Sequence, residues 1–107
     1  MRKMNAFAAA INALFSDPNL SRAALYRAGG NGDGVEVRVI QRAPDRIGNY
    51  GEGRFVTDAV LIDVRISDIN LLGRGDTFEI AGELFEVRSD PVRDSERLIW
   101  AAEVRAL

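Results

Sequence analysis

Two short alternating segments around a tight turn restrict this chain to a β-rich fold. Residues 76–80 and 83–87 each carry apolar side chains at every second position near the turn, with Leu84 as an additional apolar residue, and Ala81 and Gly82 lie between them. Strict alternation is typical of a strand with one buried face, and glycine reaches positive φ at little cost in a two-residue turn. Gly73 and Gly75 supply similar freedom just before the first segment. The pattern therefore predicts a β-hairpin.

The register of this hairpin follows from its turn. If Ile80 pairs with Glu83, cross-strand neighbours are set along both strands. Phe78 then lies opposite Phe85, and Asp76 opposite Val87. The buried face is predicted to carry Phe78, Ile80, Phe85 and Val87, and the solvent face Thr77, Glu79 and Glu86.

Outside the hairpin, the pattern predicts one helix and several short strands. Residues 4–15 repeat apolar side chains at helical spacing, and a break at 16–19 containing Pro18 ends that helix. Strands are predicted at 21–28, 35–40, 55–67 and 97–104, with a possible bulge near residues 58–61. A short capped turn of helix is predicted at 67–70, with Ser67 or Asp68 as its cap.

The length and order of these elements define the fold class. A chain of 107 residues is one domain of common size. We predict a mainly β protein, a small antiparallel β-barrel or sandwich of about six strands with an N-terminal α-helix. Residues 1–19 form an N-terminal helical arm, and residues 20–107 form the single β domain.

The composition excludes several kinds of site. Cysteine and histidine are both absent, which removes disulfides, thiolate chemistry, the commonest metal ligand and the usual general base. We therefore predict no catalytic residues, no metal and no cofactor. No apolar run approaches the roughly 20 residues of a membrane span, and the broken N-terminal stretch does not fit a signal peptide. We expect a cytosolic protein in the cell that makes it.

Charge is distributed unevenly along the chain. Residues 1–54 carry eight Lys and Arg against five Asp and Glu (+3), and residues 55–107 carry six against eleven (−5). If the halves occupy different surfaces, the subunit has a positive and a negative side suited to stacking. If the halves interleave in space, the charges are scattered. Both arrangements are compatible with the sequence.

Several motifs are explained more simply by local structure than by a binding or catalytic role. Arg74-Gly75-Asp76 matches an integrin-binding tripeptide but is better explained as a turn. The glycine-rich residues 29–34 lack the lysine and following helix of a phosphate loop, so a flexible hairpin connection is favoured. The strand carboxylates, including Asp58 and Asp63, are explained by solvated positions, and hydrolase chemistry is disfavoured.

Two segments are candidates for contacts with other molecules. The loop at 43–54 carries Tyr50 between Arg46 and Arg54, which fits a protein partner better than nucleotide stacking. The apolar stripe of the helix, Met4, Phe7, Ile11 and Leu14, either covers an open side of the barrel or docks on another subunit.

The hairpin sequence resembles the sequences of one protein family. Residues 71–80 (LLGRGDTFEI), 82–87 (GELFEV) and 98–100 (LIW) resemble the small head–tail joining proteins of lambdoid tailed bacteriophages. The order of features also agrees, with a variable N-terminal segment, a glycine-rich turn, a strand, a long loop and a late hairpin. The specific resemblance covers about the last third of the chain.

The resemblance implies a non-enzymatic structural protein of the virion neck, assembled in the host cytoplasm. Copies would form a ring, expected to be a hexamer, on a DNA-filled head. The implied partners are the chain itself, portal or adaptor proteins of the head, and tail-terminator or tail-tube proteins. DNA would pass without sequence-specific binding, and Glu79 and Glu86 are candidates for the channel lining because acidic walls do not hold DNA.

Three alternatives remain open. A tail terminator or another neck protein of similar size would cap the tail rather than the head. A small-barrel nucleic-acid-binding module belongs to a different class, and salt-dependent DNA binding would favour it. An enzyme is the least favoured.

Overall fold

The structure, a computed structural model, describes residues 6–42 and 59–107. One helix precedes seven strands, and a short 3₁₀ segment (Ala28–Gly30) follows the first strand. The helix is α1 (Ala6–Ser16); the strands are β1 (Arg22–Arg27), β2 (Val35–Arg42), β3 (Ala59–Arg65), β4 (Thr77–Ile80), β5 (Glu83–Val87), β6 (Val92–Arg93) and β7 (Ile99–Ala106).

Six of these strands close into an antiparallel barrel. The strand order is β3-β2-β1-β4-β5-β7, and β7 pairs again with β3, so the sheet joins itself. The closing contact runs from Ala59 opposite Arg105 to Arg65 opposite Ile99. The short β6 adds to the free part of β7. The predicted fold class, a small antiparallel barrel with an N-terminal helix, is confirmed.

The predicted hairpin is present in the predicted register. Phe78 lies opposite Phe85 and Ile80 opposite Glu83. Both turn residues have positive φ, 53° at Ala81 and 83° at Gly82, as in a type I′ turn. All four side chains predicted for the buried face lie in the core: Phe78, Ile80, Phe85 and Val87.

The prediction that Thr77 faces solvent is wrong. Thr77 is only 5% exposed. Its side chain is covered by the 3₁₀ segment, because a Cβ on Gly30 would lie 3.4 Å from Thr77 Cγ2. Alternation along a strand determines which side of the sheet a residue faces, but that side is exposed to solvent only if no neighbouring loop covers it.

The barrel interior holds a single apolar core to which every barrel strand contributes. Its largest fully buried barrel side chains are Phe78, Ile62, Val39, Val64, Val87 and Val104. Trp100 is also buried, and its indole Nε1 donates to the Ile69 carbonyl at 2.9 Å, which ties the β3–β4 loop to β7. An apolar body with one satisfied polar atom is how tryptophan is tolerated inside a protein.

The observed strand bounds differ from the predictions near their ends. The strands predicted at 21–28 and 35–40 are β1 and β2. The strand predicted at 55–67 is described only from Ala59, and residues 59–65 pair with β7 without interruption, so no bulge lies among them. Its possible start at 55–58 lies outside the described residues. The last strand begins at Ile99 rather than at residue 97.

The short helical turn predicted at 67–70 is instead a hydrogen-bonded turn at residues 66–68. The amides of Asp68 and Ile69 both donate to the Arg65 carbonyl, at 3.0 and 3.2 Å. The Asp68 carboxylate does not cap a helix, because it accepts two hydrogen bonds from the Arg65 guanidinium.

The two halves of the chain interleave. Pairing of β1 with β4 and of β2 with β3 places basic-half strands beside acidic-half strands. Ion pairs cross the boundary between Arg27 and Glu79 at 3.1 Å and between Arg42 and Asp63 at 2.8 Å. Of the two arrangements compatible with the sequence, the described residues therefore favour scattered charge over two oppositely charged halves.

Candidate subunit and partner interface

Helix α1 carries apolar side chains on two sides. Phe15 is 1% exposed and faces the barrel, whereas Phe7 and Leu14 are 59% and 43% exposed. Phe7 and Leu14 are seven residues apart, about two helical turns, and so lie on one face. Ile11 is partly buried between the two sides. The helix contains no charged residue, so its outer face is an exposed apolar strip.

Phe15 and Ser21 anchor the helix to the barrel. The buried Ser21 hydroxyl donates to the Phe15 carbonyl at 2.7 Å, and Arg38 on β2 donates to both oxygens of Ser21. The Arg65 guanidinium lies 5.4 Å from the Phe15 ring centroid. It also donates to the Asn12 side chain at 3.2 Å. The inner side of α1 is thus held by packing, a cation–π contact and hydrogen bonds.

A groove of about 320 Å³ lies between α1 and the barrel, and we call it the α1 groove. Its lining residues come from the helix, the end of β3 with the turn after it, and the two residues before β7: Ala8, Ile11, Asn12, Arg65, Ile66, Ser67, Arg97 and Leu98. The apolar members form much of its surface, and the two charged members are both arginines. The α1 groove is therefore suited to an apolar group that carries or adjoins a negative charge.

Asp94 shapes the loop that presents Arg97 to this groove. Its Oδ1 accepts hydrogen bonds from the amides of Leu98 and Ile99, at 2.7 and 2.9 Å. Burial raises the pKa of Asp94, but these bonds and one from Glu96 outweigh it and hold the pKa below its usual value. The loop holds Arg97 at a φ of 58°, an unfavourable angle for a residue with a side chain.

The two candidate channel-lining carboxylates are both in ion pairs. Glu79 lies 3.1 Å from Arg27, and Glu86 lies 3.2 Å from Arg88. Each is on the outer side of the barrel, since its strand neighbours on either side are buried in the core. Any acidic surface that they form is therefore partly neutralised by adjacent guanidinium groups.

Asp76 is a buried polar residue whose role the sequence did not reveal. It is 7% exposed. Its carboxylate accepts from the Tyr26 hydroxyl at 2.6 Å, the Gly29 amide at 2.8 Å and the Gly73 amide at 2.9 Å. Three donors compensate for removing the carboxylate from water. The Arg74-Gly75-Asp76 sequence is a turn, as predicted, and its aspartate is a structural connector.

The glycine-rich residues 29–34 connect two strands, as predicted. Gly29, Gly30, Gly32 and Gly34 all have positive φ. The connection leads from β1 through the 3₁₀ segment into β2, with no helix N-terminus to receive a phosphate. Among residues 6–42 and 59–107, no cluster of three or more acidic residues is arranged to hold a metal ion.

Four of the predicted interface residues lie outside the described residues: Met4, Arg46, Tyr50 and Arg54. The structure places Phe7, Ile11 and Leu14 on α1, and Ile11 lines the α1 groove. The arginines of the groove were missed, because Arg65 and Arg97 lie far from α1 in sequence. The positive φ of Arg97 has no signal in the local sequence pattern.

The fold and this surface define a small β-barrel protein with an apolar, partly basic groove beside its N-terminal helix. The sequence profile of the phage head–tail attachment protein family matches residues 4–104. Because the match covers nearly the whole chain, the protein belongs to the phage head–tail attachment family. No curated protein matches the chain.

Family membership confirms the resemblance found in the hairpin. The protein is a phage structural protein with a role at the neck, and the family's description implies contacts with head and tail components. Such a protein is expected in the virion. In the part of the chain that the structure describes, no helix has both the length and the apolar character needed to cross a membrane.

Proposed function

We propose that this protein is a non-enzymatic neck protein whose copies form a ring, expected to be a hexamer, that joins DNA-filled heads to tails. The observation that carries this proposal is the family match over residues 4–104. The head-side partners are portal or adaptor proteins, and the tail-side partners are tail-terminator or tail-tube proteins. Assembly takes place in the host cytoplasm, and the finished ring lies in the virion neck.

The closed barrel supports a subunit that is soluble before assembly. All six barrel strands find their hydrogen-bonding partners within one chain. The subunit therefore needs no neighbour to complete its core and exposes few strand edges. Association with a neighbour is then left to surface features outside the barrel core.

The exposed apolar strip of α1 is the proposed contact surface. Phe7, Ile11 and Leu14, together with Met4, would bury this strip against another subunit or a neck partner. An exposed apolar strip on an otherwise charged surface is typical of a protein-binding site. Arg46, Tyr50 and Arg54 are proposed as further partner contacts on sequence grounds alone.

Glu79 and Glu86 are proposed to face the DNA channel. The paired arginines leave that surface close to neutral, which would still let DNA pass without adhering. Charge reversal of both glutamates should slow DNA delivery while necks still assemble. Asp33→Arg, at an exposed site in the glycine-rich connection, is the control. Normal delivery by the reversed variant would contradict the channel proposal.

The joining function is tested by deleting the gene from a producing host and imaging the particles by electron microscopy. DNA-filled heads beside separate, finished tails are expected, and purified protein added to that lysate should restore whole particles. Overlong or ragged tails would instead identify a tail terminator. Unchanged particles would exclude a role in the neck.

A further inference from the structure

A closed ring of identical subunits requires two different surfaces on each copy. When one surface of a subunit binds a different surface of the next, the contact is head-to-tail, and repetition closes a ring. The α1 groove is one candidate surface. Its counterpart must carry exposed apolar residues near a negative charge, because the groove is lined by apolar side chains and arginines.

A surface with two adjacent exposed leucines and a nearby carboxylate meets this requirement, and we call it the Leu84 end. It consists of Glu83 and Leu84, at the start of β5, and Leu107, which follows β7. Leu84 and Leu107 are 36% and 68% exposed, and the Leu107 amide donates to the Leu84 carbonyl at 2.9 Å. The two leucines are thus held side by side, and the exposed Glu83 precedes Leu84 at the start of β5.

Strand β7 separates the two surfaces. Leu98 of the α1 groove precedes β7, and Leu107 of the Leu84 end follows it. Nine residues of extended chain, from 98 to 107, span about 30 Å. This strand is paired with β3 along its length and with β5 and β6 on its other side. A rigid element therefore holds the two surfaces apart, and one subunit cannot fill its own groove.

Size and charge of the two surfaces agree. The α1 groove, at about 320 Å³, is roughly twice the ~150 Å³ apolar cavity that accepts a benzene molecule. Its volume therefore suits two neighbouring leucine side chains. Among residues 6–42 and 59–107, no carboxylate lies within ion-pair distance of Arg97, and no arginine lies within that distance of Glu83.

We infer that the Leu84 end of one subunit docks into the α1 groove of the next copy. Leu84 and Leu107 pack against Ile11 and Leu98, and Glu83 pairs with Arg97. This inference rests on the proposed ring and names the contact that builds it. The exposed strip of α1 flanks the groove and extends the contact beyond the two leucines.

The absence of cysteine from the chain allows a specific cross-linking test. Ser67→Cys labels the α1 groove and Ala106→Cys labels the Leu84 end, and both sites are exposed. The double variant would be supplied to the deletion host, and purified particles treated with a short bis-maleimide. A ladder of cross-linked copies is expected. A mixture of the two single variants should give dimers only.

The controls distinguish this contact from others. Asp33→Cys combined with Ala106→Cys should give no ladder, because Asp33 lies outside both surfaces. Joined particles without a cross-link between residues 67 and 106 would overturn the inferred contact but leave the joining function intact. A cross-link from residue 67 to a different virion protein would also overturn it. Normal joining in the deletion host when no copy of the protein is supplied would instead refute the proposed function itself.

A charge exchange tests the ion pair directly. Glu83→Arg and Arg97→Glu should each lower the yield of joined particles by about tenfold, a typical effect of like charges in an interface. The double exchange should restore most of that yield. If the double variant is as defective as the single variants while the purified protein stays folded, the pairing of Glu83 with Arg97 is refuted.

Discussion

At the scale of single residues, Asp76 connects parts of the chain that are distant in sequence. Its carboxylate binds Tyr26 on β1, Gly29 in the following connection and Gly73 in the β3–β4 loop. Tyr26 lies within the ladder of β1, whereas Gly29 and Gly73 lie in connections outside the strands. A single buried carboxylate with three donors therefore determines how these loops cross one end of the barrel.

Replacing Tyr26 with phenylalanine should remove one of these donors at nearly constant packing. We expect Tyr26→Phe to destabilise the protein by about 1–3 kcal/mol, because the buried Asp76 carboxylate loses a hydrogen bond. The measurement is urea-induced unfolding followed by the fluorescence of the single tryptophan, Trp100, which is buried in the core. A loss below about 0.5 kcal/mol would show that water replaces the phenol.

The difference in stability between the natural protein and Tyr26→Phe has a defined pH dependence. Burial, then the hydrogen bond to Asp76 and its negative charge, raise the pKa of Tyr26 in the folded protein. The stability that this group contributes is fully present below the unfolded pKa of about 10 and is lost as the pH rises above it. The advantage of the natural protein over Tyr26→Phe should therefore shrink above about pH 10. A constant difference across that range would contradict this expectation.

Gly34 combines an unusual backbone angle with a close neighbour. Its φ is 92°, and a Cβ at this position would lie 2.7 Å from Leu25 Cγ. Gly32 has nearly the same φ, 93°, with nothing within 4 Å of the Cβ position. Both Gly32→Ala and Gly34→Ala should lose about 1–2 kcal/mol from backbone strain.

Gly34→Ala should lose a further 1–3 kcal/mol or so, because Leu25 must move to make room. Parallel urea titrations of the two variants isolate the steric contribution from the backbone contribution. Equal losses would show that Leu25 moves aside freely. Leu25→Ala combined with Gly34→Ala should remove most of the difference.

At the scale of elements, α1 illustrates how one helix can serve two purposes. Its inner side is anchored by Phe15, Ser21 and Arg65, whereas Phe7 and Leu14 stay exposed. Because the helix lacks charged residues, its propensity and its packing hold it rather than surface ion pairs. The division of the chain into an arm at 1–19 and a domain at 20–107 stays a prediction.

Two alanine substitutions in α1 should separate stability from assembly. Phe15→Ala removes a fully buried ring and should destabilise the protein by about 3–5 kcal/mol. Leu14→Ala, the adjacent and half-exposed residue, should lose less than about 1 kcal/mol. Urea unfolding measures both effects.

For particle joining, unlike for stability, we expect Leu14→Ala to have the larger effect of the two substitutions. Leu14→Ala protein should fold normally but restore fewer particles when added to the deletion lysate, because the exposed strip of α1 is smaller. A Leu14→Ala protein with full joining activity would contradict the proposed contact. Unfolding of both variants at the same urea concentration would contradict the two-sided description of the helix.

At the scale of the whole molecule, the interleaved strands distribute the charge. The basic first half contributes β1 and β2, and these pair with β4 and β3 of the acidic second half. Ion pairs such as Arg27–Glu79 and Arg42–Asp63 then neutralise charge locally. A net charge of −2 is not the basic balance that is typical of proteins that follow single-stranded nucleic acid.

The purified protein should therefore bind DNA weakly. We expect no detectable association with a labelled single-stranded oligonucleotide at about 0.15 M salt, where the screening length is about 8 Å. Fluorescence anisotropy measures this. Micromolar binding that weakens steeply with added salt would instead favour the nucleic-acid-binding alternative.

The amino-acid sequence alone determined the features that depend on near neighbours in the chain. Alternation placed Phe78, Ile80, Phe85 and Val87 in the core, and the Ala81-Gly82 turn set the hairpin register. Helical spacing and Pro18 defined the end of α1 within one residue. Side-chain periodicity and turn chemistry are local properties, and so they can be read from a single chain.

Only the tertiary structure decided which distant residues meet. The covering of Thr77 by the glycine-rich connection, the three donors around Asp76 and the arginines of the α1 groove all join segments far apart in sequence. Local periodicity tells which way a side chain points from its strand or helix, but not which loop lies over it. Barrel closure through β3 and β7 brings these segments together, because each must bury its apolar face against the same core.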